Sequence, residues 1–285
     1  MNRIEAESIR DELSGRFGVS LDFRSGSTDG YPFLDLSPTE LSSPNGFSIR
    51  IQTYWRRLTI SFIPDNYARD LIREMGRASE TNKVAFTAFA SASIRENGKI
   101  IMRINSTEVP PVSPEKWPVE WKMLELSVER LGFDFDPNNF SLIRGSMIEW
   151  ASRFLGMVVS LLPVEQASYE DVSEVAGLPE GAIVRVEVNR YERNRLNREA
   201  CITVHGIACK VCGIRFDKKY GEIGAGFINV HHLTPLARMV EATIVDPVKD
   251  LVPVCPNCHA MLHREDPPLT IDRLKECLGR DSSKG

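Results

Sequence analysis

The chain has 285 residues, 42% of them hydrophobic and 26% charged, with a formal net charge of −4. That is the composition of an ordinary soluble protein, long enough for two domains with separate cores. The start, MNRIEAESIRDEL, is polar and amphipathic rather than an apolar secretory leader, and the longest apolar segment, Met147 to Leu162, carries Glu149 and Arg153 and is too short to span a bilayer.

Charge is unevenly spread. From Arg185 onward there are 16 Lys and Arg against 13 Asp and Glu, or +3, and the preceding part is −7. A basic excess near the C-terminus is where phosphate contacts would be made. Overall the expected fold class is α+β, with residues 1–165 as one α+β domain of targeting, regulatory or assembly role, 166–188 as a connection and 189–285 as a second domain.

In chain order, an amphipathic helix is expected from Ile4 to Phe17, with Ile4, Ile9, Leu13 and Phe17 near one face. Residues 24–46, rich in Ser, Gly and Pro, read as loop with at most a short strand at Phe33 to Leu36. Phe47 to Ile51 and Leu58 to Phe62 alternate like antiparallel strands. Between them, Tyr54-Trp55-Arg56-Arg57 reads as a hairpin turn whose aromatics cover the sheet, with engagement of a nucleotide as the alternative. Asp65 is expected to cap a helix through Arg77, a second helix to run from Asn82 to Ile94, and Lys99 to Ile104 to be a strand. Glu120 to Leu131 and Ser146 to Leu162 read as helical, and Trp117 and Trp121 as core residues. After a break at Pro163 to Gln166, Ser168 to Ala176 reads as a helix and Ala182 to Val188 as a strand.

An arginine-dense stretch follows, RYERNRLNREACITVHG, in which Arg190, Arg193, Arg195 and Arg198 are candidates for contact with a phosphate backbone. It continues into a helix that ends near His205 and Gly206, where the histidine would sit as a cation against the C-terminal dipole. KKYGEIGAGF reads as a glycine-rich loop, Gly226 to Leu233 as a strand and Ile271 to Leu278 as a last helix capped by Thr270.

Between Cys209 and His263 lie four of the six cysteines and four of the five histidines. Cys209/Cys212 and Cys255/Cys258 are two C-x-x-C knuckles, whose four thiolates can close tetrahedrally on a structural zinc ion. His231 and His232 are adjacent on the expected strand and so point to opposite faces. His259 and His263, four apart, share one face of a short helix. One strand histidine and the helical pair can hold a divalent metal, leaving the other strand histidine to take a proton. Cys201 and Cys277 read as packed thiols, and cysteines paired for metal fit a reducing cytoplasm.

From roughly Asn189 onward these motifs resemble the HNH nucleases of the ββα-metal fold, closest to units found in modification-dependent restriction and phage-defence enzymes. The tandem histidine and the H-x-x-x-H pair also resemble the catalytic unit of the DNase colicins. The resemblance implies His232 as general base and His231, His259 and His263 as ligands of a catalytic Mg2+, Mn2+, Ni2+ or Zn2+ ion. Asp250 falls where the family usually has Asn, and His231 where many members have an acidic ligand. Asp250 would brace the loop or orient a histidine, with a plain turn or cap role as the alternative. The implied partner is DNA, with a homodimer or a second protein of a defence system where both strands are cut or cutting is controlled. The competing reading is a non-catalytic zinc ribbon that binds nucleic acid or serves as an adaptor.

Overall fold

A computed structural model of the chain describes residues 3–39, 41, 44–133, 140–162, 195–233, 245–265 and 267–281. Two compact units result, Met1–Ala167 and Ser168–Gly285, and the whole is mixed α+β. Among the described residues no helix is long and apolar enough to cross a membrane.

The first unit begins with α1 (Arg3–Phe17), which buries Ala6, Ile9, Leu13 and Phe17. Ile4, expected on that face, is 77% exposed: at about 100° per residue it lies some 140° around the helix from Ile9. Strands β1 (Leu21–Thr28) and β2 (Tyr31–Pro38) then form a hairpin paired from Leu21↔Pro38 to Thr28↔Tyr31. A loop was expected over most of this region. The Ser and Gly residues that argue for loop are tolerated because β1 is an edge strand, exposed along most of its length. The turn is made by Asp29 and Gly30, at φ 53° and 80°, the two positive values a tight primed turn requires.

Strands β3 (Phe47–Tyr54) and β4 (Arg57–Pro64) form the expected hairpin, somewhat longer at both ends. Its tip does not cover the sheet as a unit. Tyr54 packs on Tyr31 at 4.9 Å, Arg57 lies 4.5 Å from the Tyr54 ring, and Trp55 is 84% exposed. Helix α2 (Arg69–Met75) starts later than expected, after Ala68, because Asp65 closes a turn with its carbonyl instead of capping with its side chain. Helix α3 (Glu80–Arg95) is capped by Ser79, whose hydroxyl accepts from Asn82 N–H at 3.2 Å.

Strands β5 (Gly98–Ile104) and β6 (Thr107–Glu108) follow. Trp117 and Trp121 are buried as expected, edge-on at 5.8 Å. The expected helix over 120–131 is in fact β7 (Leu124–Leu131). Leu124, Leu126 and Val128 are buried and alternate with the more exposed Glu125, Ser127 and Glu129, a period of two that the long-range pairing with β4 and β5 selects. The last element is α4 (Phe140–Leu161). The antiparallel sheet has the order β1-β2-β3-β4-β7-β5-β6, with β7 inserted between β4 and β5. Helices α1, α3 and α4 pack together and onto it, burying Phe86, Phe89 and Phe154 with Ile49 and Ile60 from the strands.

One close approach carries a prediction. A Cβ at Gly156 would stand 2.5 to 2.7 Å from the Phe89 ring, too near for either helix to keep its place. Gly156→Ala should destabilise the first unit by about 1–3 kcal/mol despite the better helix propensity of alanine, read as a lower midpoint of chemical unfolding.

The second unit is built on a small antiparallel pair, β8 (Asn229–His232) and β9 (Leu251–Val254), followed by a helix. Helix α5 (Arg195–His205) precedes it and ends where expected, with Gly206 at φ 76°. His205 Nε2 hydrogen-bonds the Val248 carbonyl at 2.9 Å, a contact across 43 residues in place of a simple charge at a helix end. The expected glycine-rich loop contains a short helix, α6 (Phe216–Tyr220), and a 3-10 turn over Gly221–Gly224. Helices α7 (Pro256–Leu262) and α8 (Ile271–Asp281) close the chain, α8 capped by the Thr270 hydroxyl, which accepts from Arg273 N–H. Cys201 is buried as expected, but Cys277 is exposed: α8 inserts Leu274 into the core and its later residues pass beyond it. The expected break at 163–166, the helix at 168–176 and the strand at 182–188 lie outside the described residues.

Candidate metal centres

The first knuckle is a tight turn in which Cys209 N–H donates to the Ile214 carbonyl and Gly213 N–H to the Cys209 carbonyl, at 3.0 and 2.9 Å. Gly213 sits at φ 74°, a value that favours glycine. In the second knuckle Cys255 is the N-cap of α7, its sulfur accepting from Cys258 N–H at 3.4 Å, and Pro256 occupies the first helical position, where no backbone donor is needed. Lys210 N–H donates to the Pro253 carbonyl at 2.9 Å and so fastens the first knuckle to β9.

The four sulfurs of Cys209, Cys212, Cys255 and Cys258 lie within 4.8 Å of one another, and Cys212 and Cys255 are 3.8 Å apart. Four thiolates held tetrahedrally about 2.3 Å from zinc are separated by about 3.8 Å, so the cluster has the size of such a site. Its electrostatics agree. Burial raises the Cys209 thiol, but the backbone N–H groups of Cys212, Cys255 and Val211 outweigh it and bring it down to about 7. Burial and then the neighbouring sulfurs push Cys258 up, and burial pushes up Cys212 as well. One thiolate is welcome and further ones repel, a conflict that a dication resolves. The cluster fits a structural zinc, and a four-sulfur site has no open position for chemistry.

The second cluster is made of imidazoles. Strand β8 carries His231 and His232, paired with Val252 and Leu251 of β9, so the two side chains leave opposite faces. His231 is 4% exposed. His259 lies on α7 and His263 at its C-terminal cap, and His263 N–H donates to the His259 carbonyl at 3.4 Å. The three rings stand 5.4, 5.0 and 4.9 Å apart, with ligand atoms from all three within 4.8 Å of one another. Three imidazoles of this spacing fit a divalent ion, and the donor set suits zinc, nickel or manganese.

Burial, then repulsion from His259 and His263, lowers His231 to about 4. Burial, then His263 and His232, lowers His259 to about 4 as well. Both rings are therefore neutral at pH 7, the form that ligates a metal. Since these folded values lie below the 6.5 of an ordinary histidine, the unfolded chain binds more protons between pH 6.5 and 4. Stability of the second unit should thus fall as pH drops through that window. Thermal unfolding of zinc-loaded protein without added divalent metal should show it, with a shallower fall for His231→Gln.

His232 is half-buried and close enough for its charge to be felt at both His231 and His259. Asp250 is placed in a turn: its carboxylate accepts from Asp246 N–H at 2.8 Å, and its N–H donates to the Asp246 carbonyl at 2.8 Å. Its own carbonyl accepts from Leu233 N–H at 2.9 Å and so continues the β8–β9 ladder past His232. Sequence reasoning missed Asp246, whose carboxylate accepts from Val248 and Lys249 N–H; the DPVKD run was its signal.

Of the four arginines singled out, Arg190 and Arg193 lie outside the described residues, and Arg195 is exposed at the start of α5. Arg198 is turned inward. It donates to Glu199 at 2.6 Å and to the Ile228 carbonyl at 3.0 Å, tying α5 to the chain entering β8.

A strand pair and a helix that together present a four-cysteine cluster and three convergent imidazoles define a metal-binding ββα unit. A model of the HNH endonuclease family matches residues 209–265, so the chain carries an HNH domain toward its C-terminus. No curated protein and no solved structure matches the chain.

Proposed function

We propose that the protein is a metal-dependent endonuclease that hydrolyses DNA phosphodiester bonds, with His232 as the general base. The observation that carries this reading is the pairing, on consecutive residues of β8, of a buried imidazole within the three-histidine cluster and a half-buried one on the other face. His231, His259 and His263 would hold the divalent ion. When bound, it neutralises charge on the scissile phosphate and on the departing oxygen.

His232 accepts a proton from water as the water oxygen forms its bond to phosphorus. The bond to the 3′ oxygen breaks in line, that oxygen takes a proton from solvent, and the ends are 5′ phosphate and 3′ hydroxyl. Asp250 keeps the ladder beside His232 in register through its turn. Arg190, Arg193 and Arg195 meet the phosphate backbone, and Arg198 positions the strand from within. The first unit supplies targeting, regulation or assembly. Cysteines grouped for metal fit a reducing cytoplasm. A role in restriction or anti-phage defence follows from the resemblance of the domain to nucleases used that way.

The test is conversion of supercoiled plasmid by the full chain with magnesium, manganese or nickel, on modified and unmodified DNA. Nicked circles that require added metal are expected, since one HNH unit cuts one strand; direct linear product would indicate a dimer. No product under any of these conditions overturns the reading in favour of a zinc ribbon that only binds.

A further inference from the structure

The first unit contains a cavity of about 500 Å3 at one end of its sheet, between the end of α3 and the turn after it, the end of β7 with the residues just past it, and the flank of α4. Its lining includes Arg95, Glu96, Arg130, Phe133, Glu149 and Trp150. Behind these carboxylates lies Arg153, with its side chain only 4% exposed. Its guanidinium donates to both oxygens of Glu96, at 2.8 and 2.7 Å, and to Glu149 at 2.8 Å, and it stacks on Trp150 at 5.1 Å.

Burying a guanidinium is costly, and the fixed fork holds two carboxylates in place. Glu96 and Glu149 remain 53% and 60% exposed. Each keeps lone pairs beyond those Arg153 uses, so the wall presents acceptors held in place by Arg153. Arg95 and Arg130 stand on the same lining, which makes the local charge +1 with Arg153 counted. Two carboxylates repel a simple anion, and the net positive charge disfavours a simple cation. A ligand with N–H donors at one end and negative charge at the other satisfies both. The volume is several times that of an amino acid side chain and within the range of sites for nucleotide-sized ligands.

We propose that this cavity binds an amino-bearing nucleotide of cytosine, adenine or guanine type. Glu96 and Glu149 accept from the N–H groups of the base, and Arg95 and Arg130 face its phosphate. Thymine lacks the exocyclic amine and is the discriminating control. The site lies wholly in the first unit and does not depend on the nuclease reading.

Calorimetric titration of the full chain, without added divalent metal, with dCMP, dAMP, dGMP and dTMP tests it. Saturable binding of the first three, at least about tenfold tighter than dTMP, is expected. Arg95→Ala should weaken it about tenfold at an unchanged thermal midpoint, Glu149→Gln should weaken it about tenfold while lowering the midpoint because Arg153 loses a charged partner, and His232→Ala should leave it unaltered. A short single-stranded oligonucleotide that binds tighter than its mononucleotide assigns the base to a DNA strand; the reverse assigns it to a free nucleotide. Equal binding of all four nucleotides, no saturable binding of any, or full binding by the Glu149→Gln/Arg95→Ala double variant would overturn the proposal.

Discussion

His232→Ala should lower plasmid nicking by about 10²- to 10⁴-fold, the usual contribution of a positioned general base. The fold should survive, because the ring is half-buried on a short strand held by Leu251 opposite and by the Leu233–Asp250 bond beyond. Zinc content and the thermal midpoint should match the parent. What separates a base from a ligand is the response to metal. His259→Ala removes one of three imidazoles, so its activity should climb again as divalent metal is raised, while His232→Ala should stay inactive at every metal concentration. Free imidazole should restore part of the His232→Ala activity by taking the proton in its place. If His232→Ala cuts within about threefold of the parent, the proton goes elsewhere and the assignment is wrong.

Cys209→Ser should cost the second unit its fold. The core cluster around the knuckles is small: among the described residues its buried members are Cys209, Ile228, Val254, Cys255, Cys258, Leu262 and Leu274, and three of those seven are knuckle cysteines. Zinc binding to such four-ligand sites is worth about 10–16 kcal/mol, as much as the whole stability of an ordinary domain. Loss of one thiolate should therefore leave the segment around residues 209–265 open to protease, while the first unit, with its own helices and seven strands, resists. Activity should vanish and should not return with added magnesium or manganese. A Cys209→Ser chain that keeps one zinc per molecule and resists protease along its length would remove the structural-zinc argument.

The second unit was more legible than the first because its signals are local. A C-x-x-C pair, a tandem histidine and an H-x-x-x-H each fix geometry within one turn or strand, and the structure brings the two clusters together as those spacings imply. The contact of Arg198 was out of reach for the opposite reason: the Ile228 carbonyl it engages is 30 residues away. In the first unit, the hairpin over 21–38 hid behind serine and glycine although Asp29-Gly30 announced its turn. Strand β7 looked helical because its leucines suit either period, and only pairing with β4 and β5 decides between them. The acidic and basic cavity was beyond reach, being assembled from 95–97, 130–133 and 143–150.

Helix α7 carries Cys258 and His259 side by side and is capped by Cys255 and His263, so one short element serves both clusters. Supply and oxidation state of the knuckles thereby become inputs to cutting. Chains made under zinc starvation, or oxidised at the exposed Cys212, should lose the alignment of His259 with His231 although no histidine has been touched. A redox or trace-metal stress would then disturb the histidine cluster without acting on it directly.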